Sequence, residues 1–343
     1  MRIAHVSPVI YPVPPETYGG TERVVADLAT AQSRRGHDVT VFGPADSRLP
    51  GVRVLGEYRS LTALAAERGE LPPGFPAELE AEQLSDLVRH ARDFDVVHLH
   101  GSAHASGVCA GLNVPTFRTI HWRADEADHI RHFERFPHER VIAISRRQAA
   151  EVPKGNLAGT VHHGIPVDRY KLTDARRDRL VFIGRMTDQK RPDRAIELAQ
   201  RVGLPLELAG PVDVGNPDYF RKVVEPYLDD DIRHVGSLTD SEKQAFFDKA
   251  IALVFPIDWP EPFGLVMIEA MACGVPVIAW DQGSAGEVVS DGTTGIVVNS
   301  MGEAVARLPE VRELSPSTVR RVFEEKYSVE RMASEVTNLY QES

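Results

Sequence analysis

Short apolar runs of strand length alternate with helical segments along this chain, and the pattern occurs twice. In the first half RIAHVSP, HDVTVFGP, VRVLG, DVVHLHG, VPTFRTIH and RVIAIS read as strands, with periodic segments such as TERVVADLATAQSRRG and ELEAEQLSDLVRHARD between them. From about Leu180 the pattern restarts with RLVFIG, LPLELAG, DIRHVG, IALVFP and VPVIAW, separated by helices such as RPDRAIELAQRVG and DSEKQAFFDKA. Strands that alternate with helices make an open parallel sheet covered on both faces. The 343 residues suffice for roughly two domains. The fold expected is therefore α/β, with two doubly wound, Rossmann-like domains. Gly164, Pro166 and a charged run interrupt the pattern in HHGIPVDRYKLTDARRD, which sets the expected domains at 1–170 and 171–326.

Composition narrows the class of function. Hydrophobic content is 42% and charged content 26%, ordinary for a globular protein. A net charge of −11 with no basic block argues against a nucleic-acid partner. Cys109 and Cys273 form neither a CxxC pair nor a disulfide framework, which suits a reducing compartment. The N-terminal MRIAHVSPVIYPVPP lacks the apolar core of a signal peptide, and no apolar run approaches the ~20 residues that span a bilayer. A cytoplasmic protein is expected, with contact at a membrane surface left open.

The densest chemical signal lies in Ile251–Ile278, IALVFPIDWPEPFGLVMIEAMACGVPVI. A strand, a proline-rich turn, a helix from about Gly264 and a second strand follow one another. The helix LVMIEAMAC is apolar on almost every side and should be buried. Glu269 is the one charge inside it, and a buried carboxylate needs donors close by. Glu261 lies eight positions upstream, and the free N–H groups of the first helical turn fall between the two acids. Glu269 reads either as a structural carboxylate or as an acceptor for a vicinal diol such as that of a ribose. On the second reading Glu261 holds hydroxyls at the other end of the same ligand and a diphosphate sits between. A nucleotide sugar has that order of groups.

EPFGLVMIEAMACGVPVIA resembles the donor-binding motif of family 4 glycosyltransferases, the retaining enzymes of GT-B fold, in which two Glu separated by seven positions flank an F-G-L turn. The likeness covers nearly the whole chain and is strongest over residues 179–300. It implies two facing domains. It also implies a C-terminal helix, here 327–343, that returns to the first domain, and a donor held by Glu261, Phe263, Gly264, Leu265 and Glu269.

Other residues acquire roles through the same resemblance. Gly19 and Gly20, by themselves a loop glycine pair before a helix, match the family's glycine-rich turn beside the donor diphosphate. Arg185 and Lys190, two cations in a loop after a strand, match the family's G-R-(variable)-K-G motif, whose Arg and Lys hold the donor phosphates. Arg191 stands where the family usually has Gly, so this loop is expected to differ in shape. His121 is one of 13 histidines, for which a core or surface place is the default. Its position at the end of VPTFRTIH matches a family histidine that approaches the donor sugar. His98 and His100 lie on one face of their strand without a carboxylate or cysteine set beside them, so no metal site is expected there. Asp229, Asp230 and Asp231 read as a solvated turn. HHGIPVDRY, with His163 and Tyr170 at motif positions, reads as interdomain structure. The loop 233–238 is expected near the base, by analogy.

The activity implied is transfer of a hexosyl unit, glucosyl from UDP on family prevalence, to an acceptor hydroxyl by front-face attack, with no cofactor and no metal. Arg185, Lys190, Gly20 and the amides near Gly264 and Leu265 would offset charge on the leaving diphosphate. His121, Glu261, Arg185 and Lys190 form the catalytic set. A GDP-mannose-dependent mannosyltransferase of the same family is the nearest alternative. A nucleotide-sugar epimerase, a sugar phosphorylase and a non-catalytic sugar-nucleotide binder are the alternatives of other classes. The acceptor, whether small molecule, lipid or glycan, is expected on the loops VSPVIYPVPPETYGG and 59–94 of the first domain. Oligomeric state is left open.

Overall fold

The computed structural model describes residues 1–16, 19–172 and 177–342, with the Asp128 side chain left out. Thr17 and Tyr18 of the expected acceptor loop, and residues 173–176 of the expected boundary segment, lie outside it. The chain divides into two compact units, Met1–Gly164 with Val329–Ser343, and Ile165–Ser328.

The first unit carries β1 (Arg2–Val6), β2 (Asp38–Phe42), β3 (Arg53–Leu55), β4 (Val96–Leu99), β5 (Thr116–Thr119), β6 (Arg140–Ala143) and β7 (Leu157–Thr160). They form one parallel sheet in the order β3-β2-β1-β4-β5-β6-β7. The second carries β8 (Arg179–Ile183), β9 (Leu206–Ala209), β10 (Ile232–His234), β11 (Ala250–Phe255), β12 (Val277–Trp280) and β13 (Gly295–Val298). Its parallel order is β10-β9-β8-β11-β12-β13. The central strands are buried on both faces, which is why they read as continuous apolar runs.

The strand lists read from the sequence miss one edge strand in each unit. β7 is LAGT, with little apolar weight and a glycine at its third place; β13 is the short GIVV. Both lie at sheet margins; β7 leaves its side chains partly exposed, whereas β13 buries Ile296 and Val298 but is only four residues long.

Strand order reverses between β1 and β4 in the first unit and between β8 and β11 in the second. In open parallel sheets, ligands bind outside the carboxyl ends of the strands at such a reversal. The topology therefore points to the loops after β1 and β4, and to those after β8 and β11.

The C-terminal helix Val329–Gln341 belongs to the first unit. It packs against the helix Gly20–Arg34, burying Met332, Val336 and Tyr340. Tyr340 Oη lies 2.6 Å from His98 Nδ1, and Gln32 Nε2 donates to Thr337 Oγ1 at 3.4 Å.

Candidate active site

In the second unit the loop after β11 is fixed by backbone contacts. Glu261 N–H donates to the Trp259 carbonyl at 2.8 Å, and the Glu261 carbonyl accepts from Ser284 N–H at 2.9 Å. Ser284 Oγ donates to the Phe263 carbonyl at 2.9 Å. Gly283, at φ 58°, lies so close to the Glu261 backbone that any Cβ there would overlap it. Glu261 is thus presented from a braced turn. Its Oε2 accepts from Lys190 Nζ and from Trp259 Nε1, the latter at 2.7 Å, and the Lys190 ammonium lies 4.9 Å from the centre of the Trp259 ring. The sequence motif gave no signal for Trp259, whose indole N–H orients the carboxylate.

Gly264 caps the helix Leu265–Ala272 at φ 81°, ψ 69°. A Cβ at this place would lie 2.8 Å from Met267 Cε and 2.9 Å from Phe255 Cζ, so glycine answers both a left-handed backbone and a close approach. Among the described residues no acceptor meets the N–H groups of Leu265 and Val266. They leave an open helix N-terminus, a favourable place for an anion. The Phe263 ring is buried and packs edge-on against Tyr327 at 6.2 Å. Its contribution to this turn is structural support.

Glu269 is 4% exposed within this helix. The donors its burial demands come from Lys243, whose Nζ lies 2.8 and 2.9 Å from the two carboxylate oxygens. Lys243 stands on the helix Asp240–Asp248, far away in sequence, and pattern reading did not find it.

Arg185 follows β8, the strand beside β11. Among the described residues its Nε is buried without a hydrogen-bond partner, and Asp213 lies 4.0 Å from its guanidinium. Lys190 sits on Glu261. Arg191, where the family usually has glycine, has φ 55° and ψ 51° and is the one positive-φ residue other than glycine among those described. The loop thus keeps a backbone suited to glycine. Arg191 is held in it by hydrogen bonds to Asp193 at 2.7 Å and to Asp258 at 2.8 Å. Asp229 caps its own turn through Asp231 N–H at 2.8 Å and Ile232 N–H at 2.7 Å.

In the first unit Gly19 precedes the helix Gly20–Arg34 with φ 144°; a Cβ there would lie 2.9 Å from the Pro15 ring. Glu22, in the first turn, is buried, which raises its pKa, while backbone N–H groups of Glu22 and Tyr11 bond to its carboxylate and lower it. This acid lies where the pattern of glycines suggested room for phosphate, and it disfavours a second anion close by.

His121, past the end of β5, terminates a line of buried rings. Gln32 Oε1 lies 2.7 Å from His5 Nε2, His5 Nδ1 lies 3.0 Å from His100 Nε2, and His100 Nδ1 lies 3.0 Å from His121 Nε2. Burial lowers the His5 pKa to about 4 and that of His121 to about 3, and pushes His98, His100 and His163 well below the usual range. A neutral imidazole has one donor and one acceptor nitrogen. With the Gln32 oxygen facing His5, each ring must donate back along the line. His121 is then protonated on Nε2 and presents a bare Nδ1. His163 stacks on it at 5.2 Å with planes 14° apart.

His5, His98 and His100 offer ring nitrogens within 4.8 Å of one another, a spacing compatible with a metal ion. All six of their nitrogens are in hydrogen bonds, with Gln32, Tyr340, Thr119, His121 or each other. A metal would have to displace several of these, so the donor set is better suited to the proton-ordered network it forms.

A cavity of about 420 Å³ opens at the ends of β1, β4 and β5 in this unit. His100 and His121 line it, with Ile10, Ser102, Arg118 and Trp122 among the other walls.

Two family models match consecutive parts of the chain: Glycosyltransferase Family 4 over residues 18–169, and Glycosyl transferases group 1 over residues 168–316. The phosphatidyl-myo-inositol mannosyltransferase of Mycobacterium leprae is 30% identical, over 87% of this chain and 83% of its own. The D-inositol 3-phosphate glycosyltransferase of Pseudarthrobacter chlorophenolicus is 29% identical, over 86% of this chain and 81% of its own. Among solved structures, Anabaena HepE in complex with UDP and glucose matches with a TM-score of 0.73 at 18% identity, covering 98% of each chain. The chain belongs to the family 4 (group 1) glycosyltransferases. Its two sheets form the GT-B architecture, and the enzyme class is glycosyltransferase. Among the described residues no helix is long and apolar enough to cross a membrane.

Proposed function

We propose that this enzyme is a retaining hexosyltransferase that takes its sugar from a nucleotide diphosphate and passes it to a polyol hydroxyl. The observation that carries the reading is the arrangement after β8 and β11. Two buried carboxylates flank an open helix N-terminus, and Arg185 Nε on the neighbouring strand end has no partner. An anionic ligand with hydroxyls at both ends would meet the open helix N-terminus, the Arg185 charge and the carboxylate lone pairs that Lys190, Trp259 and Lys243 leave free.

In this reading Glu269 accepts from the ribose and Glu261 from the sugar. Arg185, Lys190 and the N–H groups of Leu265 and Val266 offset charge on the diphosphate. The bond from the anomeric carbon to the diphosphate oxygen breaks as the acceptor oxygen bonds to the same face. The acceptor proton passes to the leaving diphosphate, so no side-chain base is required. Loss of one contact to developing charge typically lowers the rate by a factor on the order of 10² to 10³. His121 accepts from a sugar hydroxyl through Nδ1, and no metal is needed.

A UDP-hexose is the first choice of donor, supported by the ligands of HepE. GDP-mannose is the second; the name of the mycobacterial relative, a mannosyltransferase, supports mannose as the sugar. The two curated relatives are named for inositols that carry a phosphate, which supports a polyol acceptor.

Glu261→Gln tests the reading. Transfer should fall at least ~100-fold while affinity for the nucleotide diphosphate stays within a few-fold. Near-normal turnover would remove Glu261 from the mechanism. Calorimetry with uridine, guanosine and adenosine diphosphates selects the base, and the anomeric configuration of the product tests retention.

A further inference from the structure

His121 leaves the sheet just past β5, in the stretch 120–122 that lines the 420 Å³ cavity of the first unit. The register of β5 with β6 ends at Thr119 and Ile142, so that ladder no longer dictates where the stretch runs. One side chain takes over. Gln148 Nε2 donates to the Ile120 carbonyl at 2.8 Å and to the Trp122 carbonyl at 2.6 Å, the residues on either side of His121.

Gln148 comes from the helix Arg146–Ala149, after β6, and is 1% exposed. Its Oε1 accepts from Ile144 N–H at 2.9 Å, and its backbone N–H donates to Ser145 Oγ at 3.0 Å. A primary amide has two N–H donors and one oxygen acceptor. With an N–H on one side and two carbonyls on the other, one orientation of the amide meets all three partners. Both donors are then spent on the neighbours of His121.

The ring of His121 is held separately. Its Nε2 lies 3.0 Å from His100 Nδ1, and His163 stacks on it at 5.2 Å. The line of rings from Gln32 sets which nitrogen carries the proton. It does not by itself set where the bare Nδ1 stands in the cavity, which follows from the path of the backbone through 120–122. Without the amide the two carbonyls lose these donors, and the stretch must shift to find others. A displacement of about 1 Å at a reacting group can lower a rate ~100-fold.

We propose that Gln148 is a positioning residue for the transfer reaction, pinning the backbone on both sides of His121 so that Nδ1 meets the sugar hydroxyl. This rests on the transferase reading above and on the role given there to His121. A brace that served the fold alone would act whether or not the imidazole is present; a brace that serves the reaction acts only through it.

A double-mutant cycle on the full-length enzyme separates the two, with kcat for transfer and calorimetric affinity for the nucleotide diphosphate as readouts. Gln148→Met should lower kcat on the order of 10-fold and leave nucleotide affinity unchanged. In the His121→Ala background the same substitution should change kcat by less than about 2-fold. Equal losses in the two backgrounds, or no loss in the presence of His121, would overturn the proposal. Should Gln148→Met not fold, Gln148→Glu carries the same cycle: it is of equal size, and its protonated form donates to one of the two carbonyls, so a loss of several-fold is expected with His121 and none without. Wild type supplies a check that needs no variant. The side-chain amide protons of Gln148 should exchange with solvent at least ~100-fold more slowly than those of an exposed glutamine; exchange at the exposed rate would overturn the proposal. Near-normal transfer by His121→Ala alone would instead remove His121 from the reaction, and the role of Gln148 with it.

Discussion

Lys243 Nζ sits between the two carboxylate oxygens of Glu269, at 2.8 and 2.9 Å, and both side chains are largely withdrawn from solvent. Removing one partner of a buried pair leaves the other charge uncompensated, at a cost of roughly 3–5 kcal/mol. Lys243→Met should destabilise the second unit by about that amount in urea titrations. Pairing it with Glu269→Leu should recover most of the loss, because no charge is then stranded. The double variant also separates stability from binding. If Glu269 holds the ribose, the refolded double variant binds nucleotide diphosphate at least ~10-fold more weakly than wild type. Unchanged affinity would assign Glu269 to the fold alone.

Arg191 sets a different balance. A left-handed backbone costs a non-glycine residue about 1–2 kcal/mol. Its ion pairs with Asp193 and Asp258 are partly exposed and contribute roughly 0.2–1 kcal/mol each. Arg191→Gly removes both terms and should leave stability within ~1 kcal/mol and transfer near normal. Arg191→Val keeps the strain, adds branching and loses the pairs, so a fall of about 1–3 kcal/mol is expected by chemical denaturation. Equal stability of the two variants would mean that the backbone relaxes out of the left-handed region.

These two sites also mark how far the sequence could be read. The helix carrying Glu269 was legible because an all-apolar helix with one charge has few explanations. The need for a donor was legible for the same reason. The identity of the donor was not, since Lys243 reaches Glu269 from another helix and no local pattern ties the two together. Arg191 was noticed as a departure from the family's glycine, but only the dihedrals show that the loop keeps its backbone and places the strain on the arginine. The central strands were evident as apolar runs, whereas LAGT and GIVV lack the length. Trp259 escaped notice because an indole N–H aimed at a carboxylate leaves no periodic trace.

The buried histidines make the first unit sensitive to acid. The unfolded chain takes up a proton on each near pH 6.5, while the folded unit resists protonation of His5 until about pH 4 and of His121 until about pH 3. Their contribution to stability is complete above about pH 6.5 and is lost as pH falls toward the folded values. The slope in this window is up to ~1.4 kcal/mol per pH unit for each histidine. Urea unfolding followed by hydrogen exchange in the first unit should show a marked loss between about pH 6.5 and 5, a range above most carboxylate titration. A flat profile there would mean that these rings are protonated in the folded state.

The line from Gln32 to His121 makes a prediction about proton position. Gln32 Oε1 accepts from His5, which orders His5, His100 and His121 as successive donors and leaves Nδ1 of His121 bare. Nitrogen-15 spectra of histidine-labelled enzyme should show His121 as the Nε2–H tautomer. Gln32→Leu removes the acceptor that sets the order, so His121 should populate both tautomers. Transfer should then fall on the order of 10-fold, with nucleotide diphosphate affinity unchanged. Gln32→Glu keeps an oxygen at the same place and should restore both the tautomer and the rate. That rescue separates proton ordering from packing, since leucine and glutamate fill similar volumes and only the latter accepts a hydrogen bond. A single Nε2–H tautomer in Gln32→Leu would show that His121 is ordered by something other than this line.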